Sequence, residues 1–591
     1  MRKNKIVSIL LAFTLLFVSG CQSNTTKNVQ TQKKFDDLLE NEFISSMEHD
    51  YVSSHIYFED ALAYHIDTSK IEVTLGIGFS IEDRKQARKQ VKIFLDELSS
   101  FDYQELREDQ QHLYMTLIEQ TMIEQDLLKE TYDYYDQAFS SMSGIHYQIP
   151  TLFSDWILKD EQDIKDLILL VQDVKPYIEE ALTYTKEQAD KGLLMTNIED
   201  VVSYCETIIS YKEDSAILAS LYESIDALNL KEDMKNKYKI QLKEAFDTYF
   251  YPSYENIIST LNQLSSKNNE EGLFNFAQGQ SYYELLVQKD LGAFTSLDKV
   301  NDMLEEELSD RIVSLYDKMS NEKISDVLET GKFPDTSYKS YESILEDIQV
   351  KMEKDFPTIQ NISYEIFDVN KQLASTSGVV AYFNVPSLDA TTPKQMRVNP
   401  NSADIKSLST YITVAHEGFP GHMYQYAYMY ENISSNFHKT LINVPVYVEG
   451  YAVYAQYKSL DYLDGIDKDI LSLYKDNEII SYCVSLLSDI GIHYKGWSLT
   501  EYKQFMESMG YNVENEESVK LQYNQLQANP AAFVPYYVGY LKFEKIREHA
   551  EEELKDKFDE KEFHTAILST GIANFDVVET YVEQNYIEAN K

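Results

Sequence analysis

Cysteine is nearly absent from this chain of 591 residues, which has three, at positions 21, 205 and 483. No CxxC pair exists to clip a metal, and Cys205 and Cys483 lie far apart in apolar helical stretches, so they read as separate buried thiols rather than a disulfide. Any metal site must therefore be built from histidine and carboxylate. Positive charge is scarce as well, with 53 Lys+Arg against 98 Asp+Glu. A field of that sign repels nucleic acid and anionic lipid surfaces. The composition of a disordered chain is missing too: 43% of residues are hydrophobic and 13% aromatic, with 46 tyrosines, ample material for a core. No fixed-period repeat marks a solenoid.

What is present starts at the N-terminus. Arg2, Lys3 and Lys5 precede the apolar run IVSILLAFTLLFV, and Ser19-Gly20-Cys21 follows at once. Residues 1–20 read as a secretory signal, too short and wrongly flanked for a stable span. The tetrad VSGC resembles the bacterial lipobox, which implies lipidation of Cys21 and anchoring to the outer face of the cell membrane. Residues 21–35 then read as a flexible tether. The mature chain keeps 50 Lys+Arg against 98 Asp+Glu, a net of −48, so the membrane is touched only through the lipid.

Residues 36–591 read as one large helical body. Apolar residues recur at helical spacing from about 36 to 355. Between 361 and 400 the runs SYEIFDV, GVVAYFNVP and KQMRVNP predict a small antiparallel β-sheet, and helical periodicity then returns to the C-terminus.

The stretch VAHEGFPGHMYQ, residues 414–425, sets His416 and His422 around Glu417. In the HExxH pattern two histidines four apart lie about 400° round a helix, on one face. Here the spacing is six, about 600°, which leaves the pair roughly 120° apart on an unbroken helix. Pro420 lacks an N–H and Gly418 can end a helix, so the backbone is expected to break between them. A break that swings His422 back toward His416 makes a bidentate site with Glu417 beside it as general base. NVPVYVEGYAVYAQ offers a third ligand in Glu449, a carboxylate costly in so apolar a segment unless paired or on a metal. Gly450 beside it allows close approach of another backbone. A salt bridge would explain Glu449 taken alone; with two histidines, the metal reading is preferred.

Four segments in order, HEGFPGHMYQ, VPVYVEGYAVYAQ, SDIGIHYKGWS and FVPYYVGYLKFEKIREHA, resemble the bacterial family called domain of unknown function 885. Weaker echoes at 143–150 (SGIHYQIP) and 276–287 (FAQGQSYYELLV) extend the resemblance over nearly all the mature chain. The family is similar in layout to all-helical zinc carboxypeptidases. The resemblance implies a mostly α fold with a deep groove between an N-terminal half (36–355) and a catalytic half (356–591). It implies His416, His422 and Glu449 as Zn2+ ligands and Glu417 as the base that takes a proton from water, whose pKa zinc lowers to about 7. Tyr537, with Tyr540 as alternative, and His493 are the implied donors to a developing oxyanion or grips on a substrate carboxylate. Arg397 and Lys495, near these segments, are further candidate partners for a substrate carboxylate. Two positions depart from the family's pattern: Tyr451 replaces a tryptophan, and Gln456 replaces a glutamate that would orient a ligand histidine, a role Asp489 is placed to inherit.

The expected function is thus an extracytoplasmic, lipid-anchored zinc peptidase acting on short peptides in carboxypeptidase or dipeptidase mode, with no nucleic-acid partner. The alternative is a peptide- or metal-binding lipoprotein without turnover; retention of Glu417 speaks against it, Gln456 for it. A di-metal carboxylate bundle would need paired Glu-x-x-His motifs, and none accompanies this site.

Overall fold

The computed structural model describes residues 24–360, 362–374, 380–401 and 404–591. The signal segment and Cys21, with its expected lipidation, lie outside them. The expected tether is corrected: from Asn24 the chain is already helix α1 (Asn24–His49). Thr31 and Gln32 donate to Glu105 at 2.7 and 3.0 Å, and Phe35 is fully buried, so the folded body begins inside that stretch.

Helices dominate, and their starts are capped as the sequence demands. Ser296 accepts from the Lys299 N–H at the head of α3 (Leu297–Lys318), which follows α2 (Gly279–Leu291). Ser407 accepts from the Thr410 N–H at the head of α4 (Leu408–Glu417). Then come α5 (His422–Asn432), α6 (Pro445–Ser459), α7 (Lys468–Ile490), α8 (Val534–Leu554) and α9 (Glu560–Ser569). One contiguous set of buried apolar side chains runs from Phe35 to Ile587. Helices on both sides of residue 355 share it: α2 packs on α6 and α8, and α3 lies along α7. Arg311 and Lys318 of α3 meet the buried Asp476 of α7, Arg311 at 3.0 Å. Cys205 and Cys483 are separate buried thiols, as expected.

The sheet holds β1 (Tyr364–Asp368), β2 (Ala381–Asn384) and β3 (Lys394–Val398) in the order β1-β3-β2. It is mixed, not antiparallel: β1 runs parallel to β3 and β2 antiparallel to it. The last strand enters the middle, so two reversals of direction bring it back parallel to the first. β2 is left as an edge, and it packs against α4. Asn399 N–H donates to Val380 O, which fixes the phase of the β2–β3 ladder. Phe383, three residues on, therefore turns its N–H and C=O away from β3.

Candidate metal centre

The break between the histidines is real. α4 stops at Glu417, α5 starts at His422, and Gly421 N–H returns to Ala415 O at 3.0 Å. A Cβ on Gly421 would stand 1.8 Å from His416 O, so only glycine lets the chain fold back over the end of α4. The Phe419–Pro420 peptide in this turn is cis. The fold-back stands the two imidazoles edge-to-face with centroids 4.8 Å apart.

Glu449 arrives from α6, which crosses α8 at bare backbone: a Cβ on Gly450 would lie 2.4 Å from Gly539 Cα. The resulting set, His416, His422 and Glu449, brings one donor atom from each residue within 4.8 Å of the others. His416 Nε2 and His422 Nε2 stand 3.6 and 3.4 Å from the same oxygen, Glu449 Oε2. Charge-assisted hydrogen bonds close to about 2.7–2.9 Å. Ligands about 2.0–2.1 Å from a tetrahedral zinc are instead separated by about 3.4 Å. Those two spacings suit atoms sharing a cation better than atoms bonding one another.

The other ring nitrogens are already used. His416 Nδ1 donates to Gln456 Oε1 at 2.9 Å, and His422 Nδ1 to Gln425 Oε1 at 3.3 Å. An amide oxygen only accepts, so each Nδ1 carries a proton and each Nε2 is left as the atom turned to the centre, where a metal would displace any proton it holds. Gln456 thus performs the orienting role itself, and Asp489 does not. Asp489 Oδ2 accepts from Tyr283 Oη at 2.6 Å and the Ala531 N–H at 3.0 Å.

Electrostatics agree with the donor set. Burial alone would push His422 down, but the Glu449 carboxylate overrides it and lifts the imidazole to about 9. Burial likewise opposes ionisation of Glu449, yet the His422 and His416 imidazoles hold its carboxyl well below the usual range. The site gathers a positive charge, and a divalent cation would take the proton's place. Burial pushes the neighbouring Glu417 carboxyl up, against the pull of His416 and His422. Glu417 Oε1 lies 3.9 Å from His416 Nε2, and its Oε2 accepts the Phe383 N–H of β2 at 2.9 Å. The set is reachable from solvent, since the Glu449 side chain is 26% exposed.

Several expected site residues lie elsewhere. His493 is a buried strut: its Nδ1 accepts the Leu273 N–H at 3.1 Å, its Nε2 donates to Leu526 O at 3.0 Å, and burial lowers it to about 4. Tyr537 stacks on Tyr482, and Tyr540 packs edge-on against Tyr457. Arg397 is held by Asp155 at 3.4 Å, and Lys495 donates to Asn301 on the surface. His146, in the SGIHYQIP echo and not among the expected site residues, is buried with its ring against Tyr204 and Phe139. The phenol that faces the centre is Tyr536, near-parallel to the His416 ring at 6.4 Å. Burial drives the pKa of its hydroxyl up, and the charges of Glu449 and Glu417 add to the rise. Helix phase accounts for this once Gly539 is known to face α6, a packing fact that the sequence alone does not carry. At 100° per residue Tyr536 lies about 60° from Gly539, which faces α6, whereas Tyr537 points about 160° away.

Comparison with known proteins gives kinship without an activity. The family model described as "Bacterial protein of unknown function (DUF885)" matches residues 73–582. No curated protein matches the chain. A crystal structure of "the putative lipoprotein from Colwellia psychrerythraea" aligns with a TM-score of 0.81 at 17% identity, over 95% of this chain and 99% of that one. A "putative lipoprotein of unknown function from Shewanella oneidensis" aligns at 0.58 and 15%, over 85% and 93%. At such identities the likeness is one of fold. Among the described residues no helix is long and apolar enough to cross a membrane.

Proposed function

For this chain, which belongs to the bacterial family of proteins of unknown function DUF885, we propose a metal-dependent peptidase that hydrolyses short peptides outside the cytoplasm, tethered by a lipid on Cys21. The observation that carries the reading is the convergence of two imidazole Nε2 atoms on one Glu449 oxygen at 3.4 and 3.6 Å, with both Nδ1 atoms held by glutamine amides. His416, His422 and Glu449 would hold the ion, zinc being the default for such a donor set. When bound, it supplies Lewis acidity toward a substrate carbonyl and acidifies water. Glu417, buried and raised, is suited to accept a proton at its Oε1 and hand it to the leaving amine. Tyr536 offers an O–H to the oxygen that gains charge. Apart from the Phe383 N–H, which Glu417 holds, the outward edge of β2 offers backbone groups to an extended peptide beside these residues. The N-terminal signal and VSGC tetrad support export and anchoring.

Elemental analysis of the purified protein, with His422→Ala and Glu449→Ala in parallel, tests the ligand set. One equivalent of zinc in the parent, lost in both variants, is expected. Metal undisturbed by either change would refute it. A binding protein without turnover is the second reading, favoured by the bond that ties Glu417 Oε2 to the Phe383 N–H. Glu417→Gln separates the two: hydrolysis lost with zinc retained supports the peptidase, whereas unchanged peptide capture and no hydrolysis in the parent supports the binder.

A further inference from the structure

Asp290 is a carboxylate with no work assigned so far. It sits in the last turn of α2, and seven residues at 100° put it about 20° from Tyr283 around the helix. That falls inside the buried arc of the helix, which runs from Tyr282 through Tyr283 and Val287 to Leu291. Tyr283 spends this face on α7, donating to Asp489. Two turns on, Asp290 is partly buried and has no ion-pair partner among the described residues; its neighbour Lys289 is exposed. Burial pushes the Asp290 carboxyl up to about 7, with only Lys289 pulling against it.

The end of α2 abuts the start of α6. At Gly292, in the left-handed region at φ 60°, an added Cβ would stand 2.9 Å from Val444 Cγ1, just before Pro445 opens α6. Five residues at about 1.5 Å each carry the axis about 7.5 Å from Val444 to Glu449. Asp290 is also the third carboxylate, after Glu449 and Glu417, whose charge bears on the Tyr536 hydroxyl. The two cations expected to grip a substrate carboxylate, Arg397 and Lys495, are engaged by Asp155 and Asn301. A substrate carboxylate arriving here would meet Glu417, Glu449 and Asp290; an ammonium would meet a partner.

The geometry points to Asp290 as the receptor for a substrate ammonium, so that the site takes unblocked peptides by their amino end. The cleavage mode rests on the peptidase reading; ammonium binding does not. The test uses the zinc-loaded full chain and one tetrapeptide in four forms: free, N-acetylated, C-amidated, and N-acetylated with lysine first. The readouts are kcat/KM by mass spectrometry and Kd by calorimetry on Glu417→Gln. Acetylation is expected to weaken both at least tenfold and amidation less than twofold, and Asp290→Asn is expected to erase the acetylation effect with zinc content unchanged. A larger penalty from amidation, or an acetylation effect that survives Asp290→Asn, overturns the proposal. Recovery by the acetyl-lysine peptide overturns the amino-end assignment and keeps Asp290 as an ammonium receptor. Acetylation-sensitive binding without cleavage would topple the peptidase reading alone; neither binding nor cleavage would topple both.

Discussion

The side chain that most changes the sequence-level picture is Gln456. A glutamate there would accept from His416 Nδ1 and, being charged, raise the basicity of Nε2. The glutamine keeps the acceptor and loses the charge, so the histidine is oriented but less electron-rich. Gln456→Ala is expected to weaken zinc affinity about 10–100-fold, and Gln456→Glu to equal or exceed the parent, as read by chelator competition. The phenols give a sharper contrast. Tyr536→Phe is expected to lower kcat at least tenfold with zinc retained, whereas Tyr537→Phe, remote from the centre, should leave kcat within twofold. The reverse result would return the role to Tyr537.

At the scale of elements, what was legible depended on whether one residue type fixes the backbone. Gly418, Pro420 and Gly421 do, so the break between the histidines could be read from the chain. The choice between Tyr536 and Tyr537 could not, because it depends on how α8 is rotated against α6, a tertiary fact set by the Gly450–Gly539 contact. Strand order was illegible for the same reason: three short β runs look alike whether the last takes an edge or the middle. The polar start of α1 gave no sign that its helix continues outward from Phe35. Glu560, at the head of α9, shows what ties elements together: Arg547 of α8 grips it with two bonds of 3.1 Å and Lys458 of α6 with one of 3.0 Å. Burial opposes its ionisation, but these cations win and hold it near 2. A depressed carboxyl adds stability above its unfolded value of about 4.3 that drains away as pH falls toward 2. Glu560→Gln should therefore destabilise the protein by roughly 2–3 kcal/mol at pH 7 and flatten the loss of stability between about pH 4.5 and 2, measured by denaturant titration.

For the whole molecule the dominant fact is a net charge of −45. Such a body repels itself, and salt relieves it as the Debye length shortens from about 30 Å at 0.01 M to about 8 Å at 0.15 M. The melting temperature is expected to rise by several degrees over that range of sodium chloride; a flat or falling curve would mean that attractive ion pairs outweigh the repulsion. Interleaving of the halves adds a second consequence. Helices from before residue 355 complete the core under the centre, so a fragment starting near 356 would lack α2, α3, the Tyr283 hydroxyl that donates to Asp489 and the cations that meet Asp476.

One bond joins these scales. Glu417 is at once the proposed base and the clasp that fastens β2 to α4 through the Phe383 N–H. Glutamine can keep the clasp with its amide oxygen, while alanine cannot. If Glu417→Gln and Glu417→Ala both lack hydrolysis but only alanine lowers the melting temperature, the difference between them weighs the clasp apart from the chemistry. Drawing the strand aside would then change the reach of the very carboxylate proposed to meet the water.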